Sequence, residues 1–203
     1  MKKILVVEDK PYHQEAARIL LPDYDLTIKE DFDSAIDVLT EDGYARGKRQ
    51  EFDIVLTDML MPQGRGECMG NPDKWRQEEM PFGYPIVLIA AKEGVPFIGV
   101  VSDMSHHDHP LVYTLDFLTR DKRKISNGHY IESPPIRIEN SMCRFFGDSS
   151  LHMLYMKDGN LITANKFSWD DFGKEPTRYA VHDNGKPIFY KNWKAALEKL
   201  FIK

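Results

Sequence analysis

The sequence predicts an α/β protein built on a doubly wound, parallel, five-stranded sheet with helices on both faces. Three observations carry that expectation. Short apolar runs at 3–7 (KILVV) and 52–58 (FDIVLTD) end in acids, the pattern of strands buried on both faces. Segments of helical periodicity alternate with such runs over the first 120 residues. The chain of 203 residues and 23.5 kDa is long enough to bury a core without disulfide or metal staples.

The elements follow in order. Residues 3–7 form the first strand and stop at Glu8-Asp9. Pro11 suits the first turn of a helix whose Ala16, Ile19 and Leu20 share one face. Asp25 to Lys29 reads as an edge strand. Phe32, Ala35, Ile36 and Leu39 follow helical spacing, with Asp31 placed to cap and Gly43 to stop. FDIVLTD is the third strand. A long Gly-rich polar loop follows Pro62, and loops of that size are commonly functional or disordered. PIVLIAA (85–91) and VPFIGVVSD (95–103) are separated by Lys92, Glu93 and Gly94 alone, whereas a parallel crossover needs about a dozen residues. The first is therefore a buried helix capped by Gly94 and the second is strand four. Pro110 opens a further helical pattern carrying Leu111, Leu115 and Leu118.

Residues 125–186 change character. Short alternating runs and the turn signals Asp158-Gly159 and Asn184-Gly185 predict a β-rich insertion within a single domain spanning 1–203. The last sheet strand is placed at 187–191. Asn192 then caps a final helix with Trp193, Ala196, Leu197, Leu200 and Phe201 on one face.

Composition narrows the function. Lys and Arg number 27 against 32 Asp and Glu, a net charge of −5, which argues against a general nucleic-acid binder. Cys68 and Cys143 are too few for a disulfide scaffold and fit a reducing compartment. The N-terminal apolar run is too short for a signal peptide, and no segment approaches the roughly 18 apolar residues of a membrane span, so a cytoplasmic protein is expected. The aromatic set Trp169, Phe172, Tyr179, Phe189 and Tyr190 reads as packing of the insertion, and Gly64-Arg65-Gly66 is too short to cradle a phosphate.

In doubly wound sheets, chemistry sits beyond the carboxyl ends of the strands. Strand one ends at Glu8-Asp9, strand three at Asp58 and strand four at Ser102-Asp103. Three carboxylates brought together at adjacent strand ends repel unless a cation sits among them. Hard oxygen donors of this kind suit Mg²⁺.

VVEDKPYHQEAARIL and FDIVLTDMLMP resemble the receiver domain of bacterial response regulators, over residues 1–62. The resemblance implies that Glu8 and Asp9 are the family's acidic pair and that Asp58 is the phosphoacceptor. It implies Mg²⁺ held by Glu8, Asp9, Asp58 and the backbone carbonyl of Leu60, a histidine kinase or phosphotransfer protein as donor, and a turn at Met61-Pro62. The family's hydroxyl at the end of strand four falls on Ser102 in the register adopted here, or on Ala90 if PIVLIAA were the strand. Its lysine falls on Lys191 or on Lys186-Pro187, with Lys191 preferred because PIFYK can be a strand delivering the ammonium. No helix-turn-helix pattern follows, so output through a protein partner is expected, with a homodimer left open. No nucleic acid and no membrane enter this expectation.

Residues 102–110, SDMSHHDHP, form a second constellation. His106, His107 and His109 beside Asp103 suit Zn²⁺ or another transition metal, with His107–His109 or His106–His109 the better pairs. Loop hydrogen bonds and an N-cap by Asp108 are the plainer roles. Two other functions therefore stand beside the signalling one. They are a metal-dependent hydrolase or phosphatase using the carboxylates and histidines, and a pseudo-receiver that binds partners without phosphate turnover.

Overall fold

The computed structural model describes residues 1–40, 51–65, 78–103, 125–126, 129–130, 135–147, 151 and 153–201. In chain order the elements are β1 (Lys3–Val7), α1 (Pro11–Leu20), β2 (Asp25–Lys29), α2 (Phe32–Leu39), β3 (Ile54–Asp58), α3 (Gly83–Lys92) and β4 (Phe97–Val101). There follow β5 (Ile125–Ser126), β6 (His129–Tyr130), β7 (Ile136–Ile138), β8 (Ser141–Phe146), β9 (Leu154–Lys157), β10 (Asn160–Thr163), α4 (Trp169–Lys174), β11 (Phe189–Tyr190) and α5 (Trp193–Leu200).

The main sheet has six strands in the order β2-β1-β3-β4-β8-β7. Five of them run parallel, and β7 closes the edge antiparallel to β8. The parallel strands follow the doubly wound order in which the chain starts at the second strand and winds both ways. Alternation along each strand divides the core into two layers. Leu5, Val7, Val55, Ile98, Val100, Cys143 and Phe145 face α2 and α3. Ile4, Val6, Ile54, Leu56, Val101 and Phe146 face α1 and α5. A separate antiparallel sheet, β10-β9-β11, packs on this second layer through Leu154 and Tyr190.

Two expectations about strands need correction. The sheet has six strands rather than five, and its fifth parallel member is β8, inside the stretch read as an insertion. SMCRFF contains Ser141 and Arg144 and so lacks an unbroken apolar run, yet both residues are buried. The segment placed last in the sheet contributes only β11, which pairs with β9 of the small sheet. Ile19 is also exposed, because α1 turns His13, Ala16 and Ala17 inward instead. Phe201 stands partly exposed against Phe97.

The helical reading of 85–91 agrees with α3, and Gly94 closes it at φ 81°. Asp158 and Gly159, both at positive φ, make the tight turn between β9 and β10. Gly43 and the helix opened by Pro110 lie outside the described residues.

The loop after β3 is welded to the start of α2. Asp31 accepts the Ser34 N–H at 2.7 Å, and the N–H groups of Phe32 and Asp33 donate to the carbonyls of Pro62 and Gln63. The chain then returns through an antiparallel bridge between Met61 and Met80. Gly83 lets α3 begin directly over the end of β3. A Cβ there would stand 2.5 Å from the Asp58 carbonyl oxygen and 2.8 Å from the Met59 Cα. Gly83→Ala is therefore expected to cost about 1–3 kcal/mol, the range of overpacked core positions. Urea unfolding measures this; unchanged stability would mean that the close approach of α3 to β3 is not required.

Candidate functional site

Parallel pairing brings three strand ends to one edge. Val7 is in register with Thr57, and Asp58 with Val101, so Glu8-Asp9, Asp58 and Ser102-Asp103 converge there. Glu8, Asp58 and Ser102 are buried, at 0%, 2% and 1% exposure. Glu8 donates its backbone N–H to Lys29, and Ser102 donates its own to Phe146, which extends the ladders by one residue at each end.

Into this edge comes Lys191, fully buried, from the junction between β11 and α5. Its Nζ lies 2.6 Å from Glu8 Oε2, 2.8 Å from Asp58 Oδ2 and 3.7 Å from Asp103 Oδ1. The remaining oxygens are engaged as well. Asp58 Oδ1 accepts the Met59 N–H at 2.6 Å, and Glu8 Oε1 accepts the Lys10 N–H at 3.1 Å.

A second shell of contacts surrounds Asp103. Its Oδ2 lies 3.1 Å from both Lys10 Nζ and His13 Nε2. The other imidazole nitrogen, Nδ1, accepts the Lys191 backbone N–H at 3.1 Å. An Nδ1 that accepts carries no proton, so the ring is the neutral Nε2–H tautomer and donates to Asp103.

Burial and pairing set the acidities. Burial raises Glu8 well above the ordinary carboxylate range, with Lys191 opposing and Asp58 reinforcing the rise. Burial likewise lifts Asp58 to about 6 against the pull of Lys191. Burial would depress Lys191, but Asp58, Glu8 and Asp103 more than reverse that and hold it as an ammonium. For Asp103, burial is outweighed by the His13 hydrogen bond and by Lys191 and Lys10, which keep it ionised. Burial lowers His13 to about 4 despite Asp103.

The structure thus brings Glu8, Asp9, Asp58, Ser102, Asp103 and Lys191 to one edge. Leu60 lies two residues past Asp58 with its side chain in the core. Ala90 is inside α3, and Lys186 is exposed in the Asn184-Gly185 turn, so neither reaches this edge. His106, His107 and His109 lie outside the described residues. Asp103, placed at the end of strand four and also grouped with those histidines, pairs among the described residues with Lys10, His13 and Lys191. Lys10 and His13 were not anticipated. The available signal for His13 was its place on the inward face of α1 with Ala16 and Ala17.

Among the described residues, Glu8, Asp9 and Asp58 form a group able to hold a metal, each offering an oxygen within 4.8 Å of the others. One observation fits a hard divalent cation: Asp9 Oδ1 is buried without a hydrogen-bond partner, beside the oxygens of Glu8 and Asp58.

Comparison with known proteins finds no family model that matches the chain, and no curated protein that matches it. Among the described residues no helix is long and apolar enough to cross a membrane.

The raised Asp58 has a signed consequence. The native state holds its proton more tightly than the unfolded chain, so this group lowers stability as pH rises from 3.8 to about 6. His13, lowered from 6.5 to about 4, acts oppositely over much of that window. The difference between wild type and Asp58→Asn isolates the carboxylate, since Asn stands in for its protonated form. In metal-free buffer the variant is expected to be more stable above pH 6, on the order of 2 kcal/mol, with the gain vanishing towards pH 4. Denaturant melts across pH read this; a pH-independent difference would refute the burial-driven shift.

Proposed function

We propose that the chain is a receiver-like signalling protein that accepts a phosphoryl group on Asp58 from a histidine kinase or phosphotransfer protein, and acts through a protein partner. The observation that carries this reading is Asp58 itself. It is a buried carboxylate at the end of the central strand β3, with an ammonium 2.8 Å away and two further carboxylates beside it.

In the proposed transfer an Asp58 oxygen forms a bond to phosphorus while the P–N bond to the donor imidazole breaks and the leaving imidazole keeps the N–P electron pair and takes up a proton. Lys191 would offset charge on the phosphoryl oxygens, and the hydroxyl of Ser102, the residue after β4, would donate to one of them. Glu8, Asp9, Asp58 and the Leu60 carbonyl would hold Mg²⁺, which supplies further charge neutralisation when bound. A cytoplasmic setting belongs to the proposal, because the donor chemistry is found there.

One observation favours a second reading. Lys191 already bridges Glu8 and Asp58, so the same edge could serve a pseudo-receiver that binds partners with no phosphate turnover. Incubation with acetyl phosphate and Mg²⁺ separates the two. Intact mass is expected to show one added phosphoryl group on wild type and none on Asp58→Asn; an unmodified wild type at saturating Mg²⁺ leaves the pseudo-receiver. Asp9→Asn is expected to weaken Mg²⁺ binding by about tenfold or more, measured by calorimetry, through loss of one charged ligand. Unchanged affinity would remove Asp9 from the cation site.

A further inference from the structure

We infer that His13 is a positioning residue that sets where the Lys191 ammonium stands, with Asp103 holding the imidazole in place; this rests on the receiver-like reading of the same edge.

The argument starts from how Lys191 reaches the site. The five parallel strands deliver their terminal residues by sheet register, but Lys191 follows β11, a two-residue strand that among the described residues pairs with β9 of the separate sheet. The ladder that aligns Glu8, Asp58 and Ser102 therefore does not align Lys191. What ties it to them is α1. His13 Nδ1 receives the Lys191 backbone N–H at 3.1 Å, and the His13 carbonyl receives the Trp193 indole N–H at 2.9 Å. One residue of α1 thus holds the chain at Lys191 and again two residues later.

The imidazole is itself fixed. It is fully buried, the Tyr12 ring meets it edge-on at 4.4 Å, and Nε2 lies 3.1 Å from Asp103 Oδ2. Asp103 follows β4 and so belongs to the sheet edge that carries Asp58. A continuous path runs from β4 through Asp103 and His13 to the Lys191 backbone. It returns through the Lys191 side chain to Asp58 at 2.8 Å. Positional errors of about 1 Å in such a group are enough to slow transfer about a hundredfold.

A buried histidine could instead merely fill space between α1 and α5, and paired variants distinguish the two roles. His13→Asn places an acceptor oxygen near the position of Nδ1, whereas His13→Gln reaches towards Nε2 and Asp103 and leaves the Lys191 N–H without its partner. Both are polar and similar in size. The first readout needs no phosphate. In lysine-labelled protein the buried Lys191 ammonium is expected to give a slowly exchanging ¹⁵N resonance that His13→Asn retains and His13→Gln loses. The second is the initial rate of modification by acetyl phosphate, expected to fall about tenfold or more in His13→Gln and to stay within about threefold in His13→Asn. Equal behaviour of the two variants in the ammonium resonance would overturn the inference. Should neither variant fold, long-range ¹H–¹⁵N spectra of wild type decide: protonated Nε2 and bare Nδ1 support the inference, and a protonated Nδ1 overturns it. A wild type that keeps the resonance but takes no phosphate would defeat the proposed function alone.

Discussion

The Lys191 ammonium, enclosed between Glu8 and Asp58, is the interaction on which the rest of the structure depends. An ion moved from water into a protein interior loses several kcal/mol even after relaxation, and only close opposite charges recover it. Lys191, Glu8 and Asp58 are all essentially inaccessible to solvent, so each needs the others. That requirement joins residues 183 positions apart in sequence and brings β1, β3 and the β11–α5 junction to one point. Removing the Lys191 ammonium would strand two buried carboxylates, whereas removing one carboxylate leaves the ammonium paired with the other.

Legibility in the sequence followed the density of local signal. β1 and β3 carry the apolar runs 4–7 and 54–56, each followed within two residues by an acid, and they lie buried in the sheet with those acids at its edge. Lys92-Glu93-Gly94 is too short for a crossover, which separated α3 from β4 and put Ser102 rather than Ala90 beside Asp58. β8 was hidden because its fitness for the sheet is tertiary. Arg144 is buried, although its sequence context suggests a half-exposed strand. No single-residue pattern announces that kind of burial.

Lys191 was found through an argument only half correct. PIFYK does contain a strand leading to the lysine, but that strand belongs to the antiparallel sheet. The ammonium arrives because α5 begins two residues later, capped by Asn192 and packed on β4, and because His13 holds the intervening backbone. A lone histidine in an amphipathic helix carries little signal on its own. Its meaning comes from Asp103 and Lys191, residues 90 and 178 positions away.

This arrangement gives the small sheet a mechanical place in the site. Tyr190 pairs with Leu154 and packs into the α1–α5 layer, and the next residue is Lys191 itself. A change of charge at Asp58 is felt first by the ammonium 2.8 Å away, whose attachments are the Glu8 carboxylate, the Asp103 edge and the backbone leading into β11. Glu8 and Asp103 belong to the parallel sheet, which is held by five parallel strands packed on both faces. β11 is two residues long and, among the described residues, pairs with β9 and meets α1 through the Tyr12–Tyr190 ring contact. Of the groups that share Lys191, the backbone leading into β11 is thus the one outside the main sheet, and what joins it to the sheet edge is α1, through His13 and the Tyr12–Tyr190 ring contact.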